Sequence, residues 1–340
     1  MQKKRILKRF FTIIGILLVV LSVSGLIFIQ YLNSFSKKPA DPDAPEITFA
    51  VERGDTLSVV SRNLENKGVI SSSELFRIYA VLKNQARKLK AGEYALSGSE
   101  APQRILDIIT KGQVKLYRLT VPEGLNLFEV AALAEKAGFG TRKAFVMAAE
   151  SREFTRSLGI SANTLEGYLF PETYYFPKSA DEKDVIREMV RRFQEVYTED
   201  WKERTRKMGF TVHEIVTLAS IIEKETGEAS ERPVISSVFH NRLEKGMRLE
   251  SDPTVIYGIE DFDGNITRKD LKTRTPYNTY VISGLPPGPI ANPGRMSLKA
   301  ALYPADTEYI FFVSKNDSTH KFSKTIKEHN RAVRKYQLNR

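Results

Sequence analysis

The sequence predicts an α+β protein: an N-terminal transmembrane helix, then a small α+β module, then a larger mixed α/β domain. Three observations predict it. Residues Phe10 to Ile29 read FFTIIGILLVVLSVSGLIFI, with no charge among them. Beyond them, short alternating runs near 47–51, 90–96, 114–121 and 309–314 are interleaved with segments of helical period. From Met247 to Gly294 the chain is rich in Pro, Gly, Asn and Tyr, the composition of long loops over a scaffold. The expected divisions are a cytoplasmic tail at 1–9, a membrane helix at 10–32, a linker at 33–46, a first module at 47–116 and a main domain at 117–340.

A helix of about 20 apolar residues crosses the roughly 30 Å hydrocarbon core of a bilayer. Lys3, Lys4, Arg5, Lys8 and Arg9 precede the run, and only Lys37 and Lys38 follow it closely. That excess places the N-terminus in the cytoplasm and the bulk outside it, on the plasma membrane. A cleaved signal would have a shorter apolar region and a small-residue cleavage site, which this segment lacks. Asn33–Glu46 (NSFSKKPADPDAPE) is polar and carries three prolines, so it reads as a semi-extended tether.

The chain has no cysteine, which removes disulfides, thiolate metal sites and cysteine nucleophiles. Its four histidines, His213, His240, His320 and His329, are scattered and form no metal-binding pair, so neither metal nor cofactor is expected. The net charge is +11. With the five basic residues of the tail set aside, 47 Lys and Arg face 41 Asp and Glu. This suits an anionic polymer or membrane surface and is too slight to indicate nucleic acid.

In the first module, Ile47–Val51 reads as a strand and Gly54-Asp55-Thr56 as a turn into a helix that lasts until Gly68. A second helix covers Ser73–Lys83. Lys90–Leu96 is a strand, Pro102–Thr110 a helix and Val114–Val121 a strand. The sequence then echoes itself. VERGDTLSVVSRNLENKG (51–68) aligns with VPEGLNLFEVAALAEKAG (121–138), as a duplicated strand–turn–helix unit or as two units sharing a glycine turn and amphipathic spacing. Later helices are expected at 142–158, 184–197, 212–226, 232–245 and 297–303, a strand at 309–314 and a helical segment at 321–338. Leu165–Pro177 (LEGYLFPETYYFP) is aromatic, and its prolines forbid one continuous helix.

The chemistry is concentrated in VHEIVTLASIIEKETG (212–227). At 100° per residue His213, Thr217, Ser220 and Lys224 share one arc, and nearly all else is apolar. Glu223 and Glu225 fall outside that arc, near the helix end. Burial would raise a carboxyl pKa, as a general acid working near neutral pH requires. The wheel slightly prefers Glu223, which projects among Val212, Val216 and Ala219, over Glu225, which lies at the edge beside Leu218. Either could instead pair with Arg232, Arg242 or Lys224.

ASIIEKETG (219–227), ERPVISSVFHNRLEKGMRLESDPTVIYG (231–258), YNTYVISGLPPGPIANPG (277–294) and LEGYLFPETYYF (165–176) resemble the membrane-anchored endolytic murein transglycosylases, the YceG-like family. The resemblance runs along essentially the whole chain. It implies cleavage of the β-1,4 bond between N-acetylmuramic acid and N-acetylglucosamine to leave a 1,6-anhydromuramyl end, trimming or terminating nascent strands. It implies that Glu225 is the catalytic acid/base, an implication that outweighs the wheel; Glu223 stands in reserve, and Glu166 and Asp252 are further supporting candidates. Ser251-Asp252-Pro253-Thr254 would turn the chain and cap the next segment. Ser251, Tyr277, Asn278, Tyr280 and Asn292 are the substrate-binding candidates, through stacking faces and hydrogen bonds suited to N-acetyl sugars. Ile47–Leu116 resembles a LysM-like glycan-binding module through its GDTL turn (54–57). Expected partners are peptidoglycan strands, the membrane and peptidoglycan synthases.

Two rival functions have distinguishing features. A non-catalytic, membrane-anchored peptidoglycan-binding scaffold would keep the anchor and the first module but needs no buried carboxylate. An aminodeoxychorismate lyase-like enzyme needs a Schiff-base lysine and a phosphate cradle in the cytoplasm, where this topology does not put the domains.

Overall fold

The computed structural model describes residues 2–260 and 262–338, with side chains from Arg9 onward. The tail residues that carry most of the basic flank have side chains outside the described residues. The chain forms two compact units, 1–117 with 177–179, and 118–176 with 180–340.

The first unit contains α1 (Gln2–Lys37), β1 (Glu46–Val51), α2 (Leu57–Asn66), α3 (Ser73–Leu82), β2 (Gly92–Ser97) and α4 (Pro102–Lys111). The hydroxyls of Thr56 and Ser72 accept from the third backbone N–H of α2 and α3 and so start those helices. Strands β1 and β2 are antiparallel, with Phe49 opposite Tyr94 and Ile47 opposite Leu96. Phe49, Leu64, Phe76, Tyr94, Leu96 and Ile105 fill the core. The Tyr94 hydroxyl donates to the Lys90 carbonyl at 2.6 Å, which satisfies its polar end inside the core.

Helix α1 corrects the expected tether. It does not end at residue 32 but continues to Lys37. Leu32 and Phe35 are only 4% and 8% exposed and belong to the core of this unit, and Ser36 is buried beside them. The physical reason is legible afterwards. No breaker precedes Pro39, and Leu32 and Phe35 at i and i+3 share one helical face. The remaining connection is also held. The Asp41 N–H donates to the Gly98 carbonyl at 3.0 Å, and the Ser97 hydroxyl to the Ala44 carbonyl at 2.6 Å. Among the described residues α1 is the one helix long and apolar enough to cross a membrane.

Strand β3 (Leu116–Thr120) leads into the second unit. Its other elements are α5 (Leu127–Lys136), α6 (Arg142–Ala149), α7 (Arg152–Ser157), β4 (Thr173–Pro177), α8 (Glu182–Val196), α9 (Glu199–Lys207), α10 (Val212–Glu225), α11 (Arg232–Glu244), α12 (Asp252–Tyr257), α13 (Arg295–Leu302), β5 (Phe311–Ser314), β6 (His320–Ser323) and α14 (Ile326–Val333). Strand β3 pairs with β4, and β5 runs antiparallel to β6 with Phe312 opposite Phe322. Helix α10 is packed by α9, α11, α12 and α13.

Three expected elements change. The single helix at 142–158 breaks before Ser151, whose hydroxyl caps α7 by accepting from Phe154 N–H. The end of the aromatic run becomes β4. The terminal segment at 321–338 opens as β6, and Thr325 and Glu328 then form a capping box that starts α14. The internal echo has a structural counterpart: β1–α2–α3–β2 is matched by β3–α5–α6–β4. The second run is interrupted by α7 and the segment that carries Glu166.

Candidate active site

Helix α10 is buried on nearly every side, from Ile215 through Ile222. Two members of the polar arc, Thr217 and Ser220, are therefore buried. The Thr217 and Ser220 hydroxyls donate back to the carbonyls of His213 and Thr217, both at 2.7 Å, and the Ser220 oxygen accepts from Ile290 N–H at 3.0 Å. The His213 Nε2–H donates to the Pro287 carbonyl at 3.0 Å, so its Nδ1 accepts from the Tyr168 hydroxyl at 3.0 Å. The GLPPGP loop (284–289) is thus fastened to the flank of α10.

Glu225 is the last residue of α10, and Thr226 turns into extended backbone. Burial raises its pKa to about 7, and the nearby Asp252 adds to the rise. A hydrogen bond from the Ser251 hydroxyl and the charge of Arg242 oppose it. The negative end of the helix dipole likewise favours the neutral carboxyl. Glu225 thus keeps a proton near neutrality while a hydroxyl fixes its orientation.

Ser251 is held in turn. Its N–H donates to the Thr279 hydroxyl at 2.9 Å, and its carbonyl accepts from the Thr254 hydroxyl at 2.6 Å. Glu250 just before it has φ +50°, a left-handed conformation rare for a residue with a side chain. Buried Arg242 supports this corner. Its guanidinium donates to the carbonyls of Ile310 at 2.7 Å and Leu249 at 2.8 Å, and it reaches the Glu250 carboxylate at 3.3 Å.

Asp252 opens α12 and is exposed, and its carboxylate accepts from the Tyr280 hydroxyl at 2.7 Å. Tyr257 closes the same helix and donates to Glu166 at 3.0 Å, with the Tyr277 ring 4.8 Å from its own. Helix α12 therefore links two carboxyl clusters across about 8 Å of helix. Glu166 is 3% exposed, and burial raises its pKa to about 7. Its oxygens also accept from Leu127 N–H, at 3.0 and 3.1 Å, and from the Asn292 amide at 3.2 Å. So many fixed donors suit a carboxyl that holds α5, α12 and the 290s loop together.

Two of the expected sugar-binding amides are turned inward. Asn278 is buried, and its amide hydrogens meet the carbonyls of Thr273 at 2.7 Å and Asp270 at 3.0 Å. Asn292 is buried as well, donating to Leu125 carbonyl and Glu166 while its oxygen accepts from Leu169 N–H at 2.9 Å. Loop closure uses both groups. Tyr277 and Tyr280 remain partly accessible.

Glu223 faces away from this chemistry. Arg232 donates to it at 3.1 Å, and Gly294 N–H donates to its other oxygen at 2.9 Å. Arg232 also lies 3.7 Å from Glu123, so one guanidinium bridges two carboxylates. Glu123, in VPEGLN, carried no sequence signal beyond the echo. Glu223→Gln keeps the bond to Gly294 and leaves Arg232 its second partner. It should cost about 1–2 kcal/mol of stability in denaturant melts and less than about tenfold in rate.

Gly167 lies beside Glu166 with φ +85°. A Cβ there would sit 2.5 Å from Pro289 Cγ and 2.8 Å from Val216 Cγ1. Gly167→Ala combines a left-handed backbone penalty with overpacking against α10 and the proline loop. The expected loss is about 2–3 kcal/mol, read as a lower urea midpoint at unchanged slope. A cavity of about 550 Å³, lined by Tyr168, Phe193, Gln194 and His213 among others, opens elsewhere in this unit, and none of these carboxylates lines it.

The chain is similar to known proteins along most of its length. It is 34% identical to an endolytic murein transglycosylase of Bacillus subtilis, over 88% of this chain and 87% of that one. It is 28% identical to an endolytic murein transglycosylase of Streptococcus pneumoniae, spanning 88% of this chain and 60% of the longer relative. A crystal structure of a yceG-like protein from Listeria monocytogenes superposes with a TM-score of 0.59 at 35% identity, covering 84% of this chain and 98% of that one. The model of the YceG-like family matches residues 49–335, and this chain belongs to that family.

Proposed function

We propose that this protein is a membrane-anchored lytic transglycosylase that cleaves peptidoglycan internally, with Glu225 as its single acid/base. The observation that carries the proposal is a half-buried carboxyl on the last residue of α10, oriented by the Ser251 hydroxyl, with burial raising its pKa to about 7. Membership in the YceG-like family and the names of the curated relatives support the substrate class.

Hydrolytic glycosidases use two carboxyls, one as acid and one to supply a nucleophile or activate water. Here the nucleophile is the muramyl 6-hydroxyl. Glu225 gives its proton to the glycosidic oxygen as the C1–O bond breaks and the N-acetylglucosamine end leaves as an alcohol. The resulting carboxylate takes the proton of the 6-hydroxyl as that oxygen bonds to C1. The ring closes as a 1,6-anhydro sugar, no water is consumed, and Glu225 is left protonated for the next cycle. Holding the nucleophile on the substrate itself supplies the proximity advantage.

Tyr277 and Tyr280 are the stacking faces in this reading, and exposed Asp252, whose charge is felt by Glu225, is the carboxylate that would offset positive charge developing on the sugar. The apolar α1 anchors the enzyme with its bulk outside the cytoplasm, beside the synthases whose nascent strands it shortens. The βααβ run of the first unit (β1–α2–α3–β2) would hold glycan in a LysM-like manner. The deciding experiment incubates the detergent-solubilised full chain with purified wall glycan and analyses the products by mass spectrometry. New 1,6-anhydromuramyl ends inside strands are expected. Reducing ends, or no cleavage, would reject the assignment.

A further inference from the structure

The first unit carries an apolar tip that its own core does not use. At the end of α3, Val81 and Leu82 are 61% and 65% exposed, and Ile78 one turn earlier is also exposed. Isolated exposed leucines are ordinary, but three on one helix end form a patch. The surrounding stretch, RIYAVLKNQARKLK (77–90), contains five basic residues and no acidic one.

The position of α1 bears on what could cover this patch. Helix α1 packs against both α3 and α4. The apolar run ends at Ile29, and Leu32, already in the core of the unit, lies about 5 Å further along the axis. The polar headgroup layer beyond the hydrocarbon is itself about 5–8 Å deep. If α1 spans the bilayer, the elements that bury Leu32 lie at headgroup depth. An apolar helix tip rimmed by lysine and arginine is the composition that settles at such a depth, with the apolar ends below and the cationic heads among anionic phosphates.

We propose that the C-terminal end of α3, led by Val81 and Leu82, beds in the anionic headgroup layer beside α1 and gives the first unit a second hold on the membrane. The proposal rests on the membrane-spanning assignment of α1, and the test separates the two. The chain has no cysteine, so Leu82→Cys and, separately, Leu21→Cys in α1 each give one site for an environment-sensitive fluorophore. The full chain is reconstituted in phosphatidylglycerol-containing vesicles with lipids brominated near the headgroup or deep in the tails. The Leu21 probe should be quenched most by deep bromines. The Leu82 probe should shift to the blue, lose access to aqueous iodide and be quenched most by shallow bromines. Adding Val81→Asp to the Leu82→Cys protein should restore iodide access. A Leu82 probe that stays water-exposed and unquenched while the Leu21 probe is quenched would overturn the docking proposal alone. A Leu21 probe that is also unquenched would overturn the spanning assignment and the docking with it.

Discussion

Glu225→Gln should bind glycan and release about 10²–10⁴-fold less anhydromuramyl product per unit time, toward the upper end because one carboxyl performs both proton transfers. Glutamine keeps the shape and can still accept the Ser251 hydroxyl, so the loss would isolate proton exchange. The pH dependence should agree. The first step needs the protonated form, so the wild-type rate should fall as pH rises through about 7. Stability should move the other way in the variant. With its pKa raised on folding, Glu225 favours the native state fully below the ordinary carboxyl range, and that contribution is lost as pH rises toward 7. Above pH 7 the native state carries a half-buried charge that glutamine lacks. Glu225→Gln should therefore melt higher than wild type at pH 8, by about 2 kcal/mol after allowing for partial exposure, and no higher at pH 4. A rate within tenfold of wild type would move the chemistry elsewhere, with Asp252 and Glu166 next to be replaced.

Removing the proposed anchor at the wrong residue should cost nearly as much as replacing Glu225. A soluble form beginning at residue 31 keeps Leu32, Phe35 and Ser36, whereas one beginning at residue 40 deletes all three from the core of the first unit. Burying a leucine or a phenylalanine is worth about 1.5–3 kcal/mol each, less whatever the denatured chain already hides. The shorter form should lose about 3–4 kcal/mol in the transition of the first unit, and its newly bared surface should bind a hydrophobic dye. Equal denaturant midpoints for the two forms would mean that α1 contributes nothing to that core.

The sequence revealed many of the elements that local chemistry determines, though the Ser151 cap of α7 and the Thr325–Glu328 capping box of α14 went unread. Thr56, Ser72 and Asn126 cap the helices expected after them, and the alternation around Phe49 and Tyr94 marks β1 and β2. It left matters open where a pattern had two physical readings. The polar residues of α10 share an arc, which on a surface helix means solvent, but Thr217 and Ser220 satisfy themselves on backbone carbonyls and are buried. A helical wheel cannot count the neighbours that cover every face. Asn278 and Asn292 pose the same problem: a loop amide can bind a ligand or close the loop, and only the fold shows which carbonyls come within reach. The wheel leans toward Glu223 over Glu225 for a related reason. What separates them is long-range, with Arg232 and Gly294 converging on one and Ser251 on the other.

The unbroken passage of α1 into the folded core has a mechanical consequence. A helix whose apolar stretch exceeds the local hydrocarbon thickness relieves the mismatch by tilting. A flexible leash would absorb that tilt and leave the attached domain indifferent to it. Here α1 enters the core with no break from Gln2 to Lys37. With α1 spanning a bilayer as proposed, its lean would be passed on as rotation of the first unit, so local lipid thickness would act on that unit's orientation as a hand on a lever.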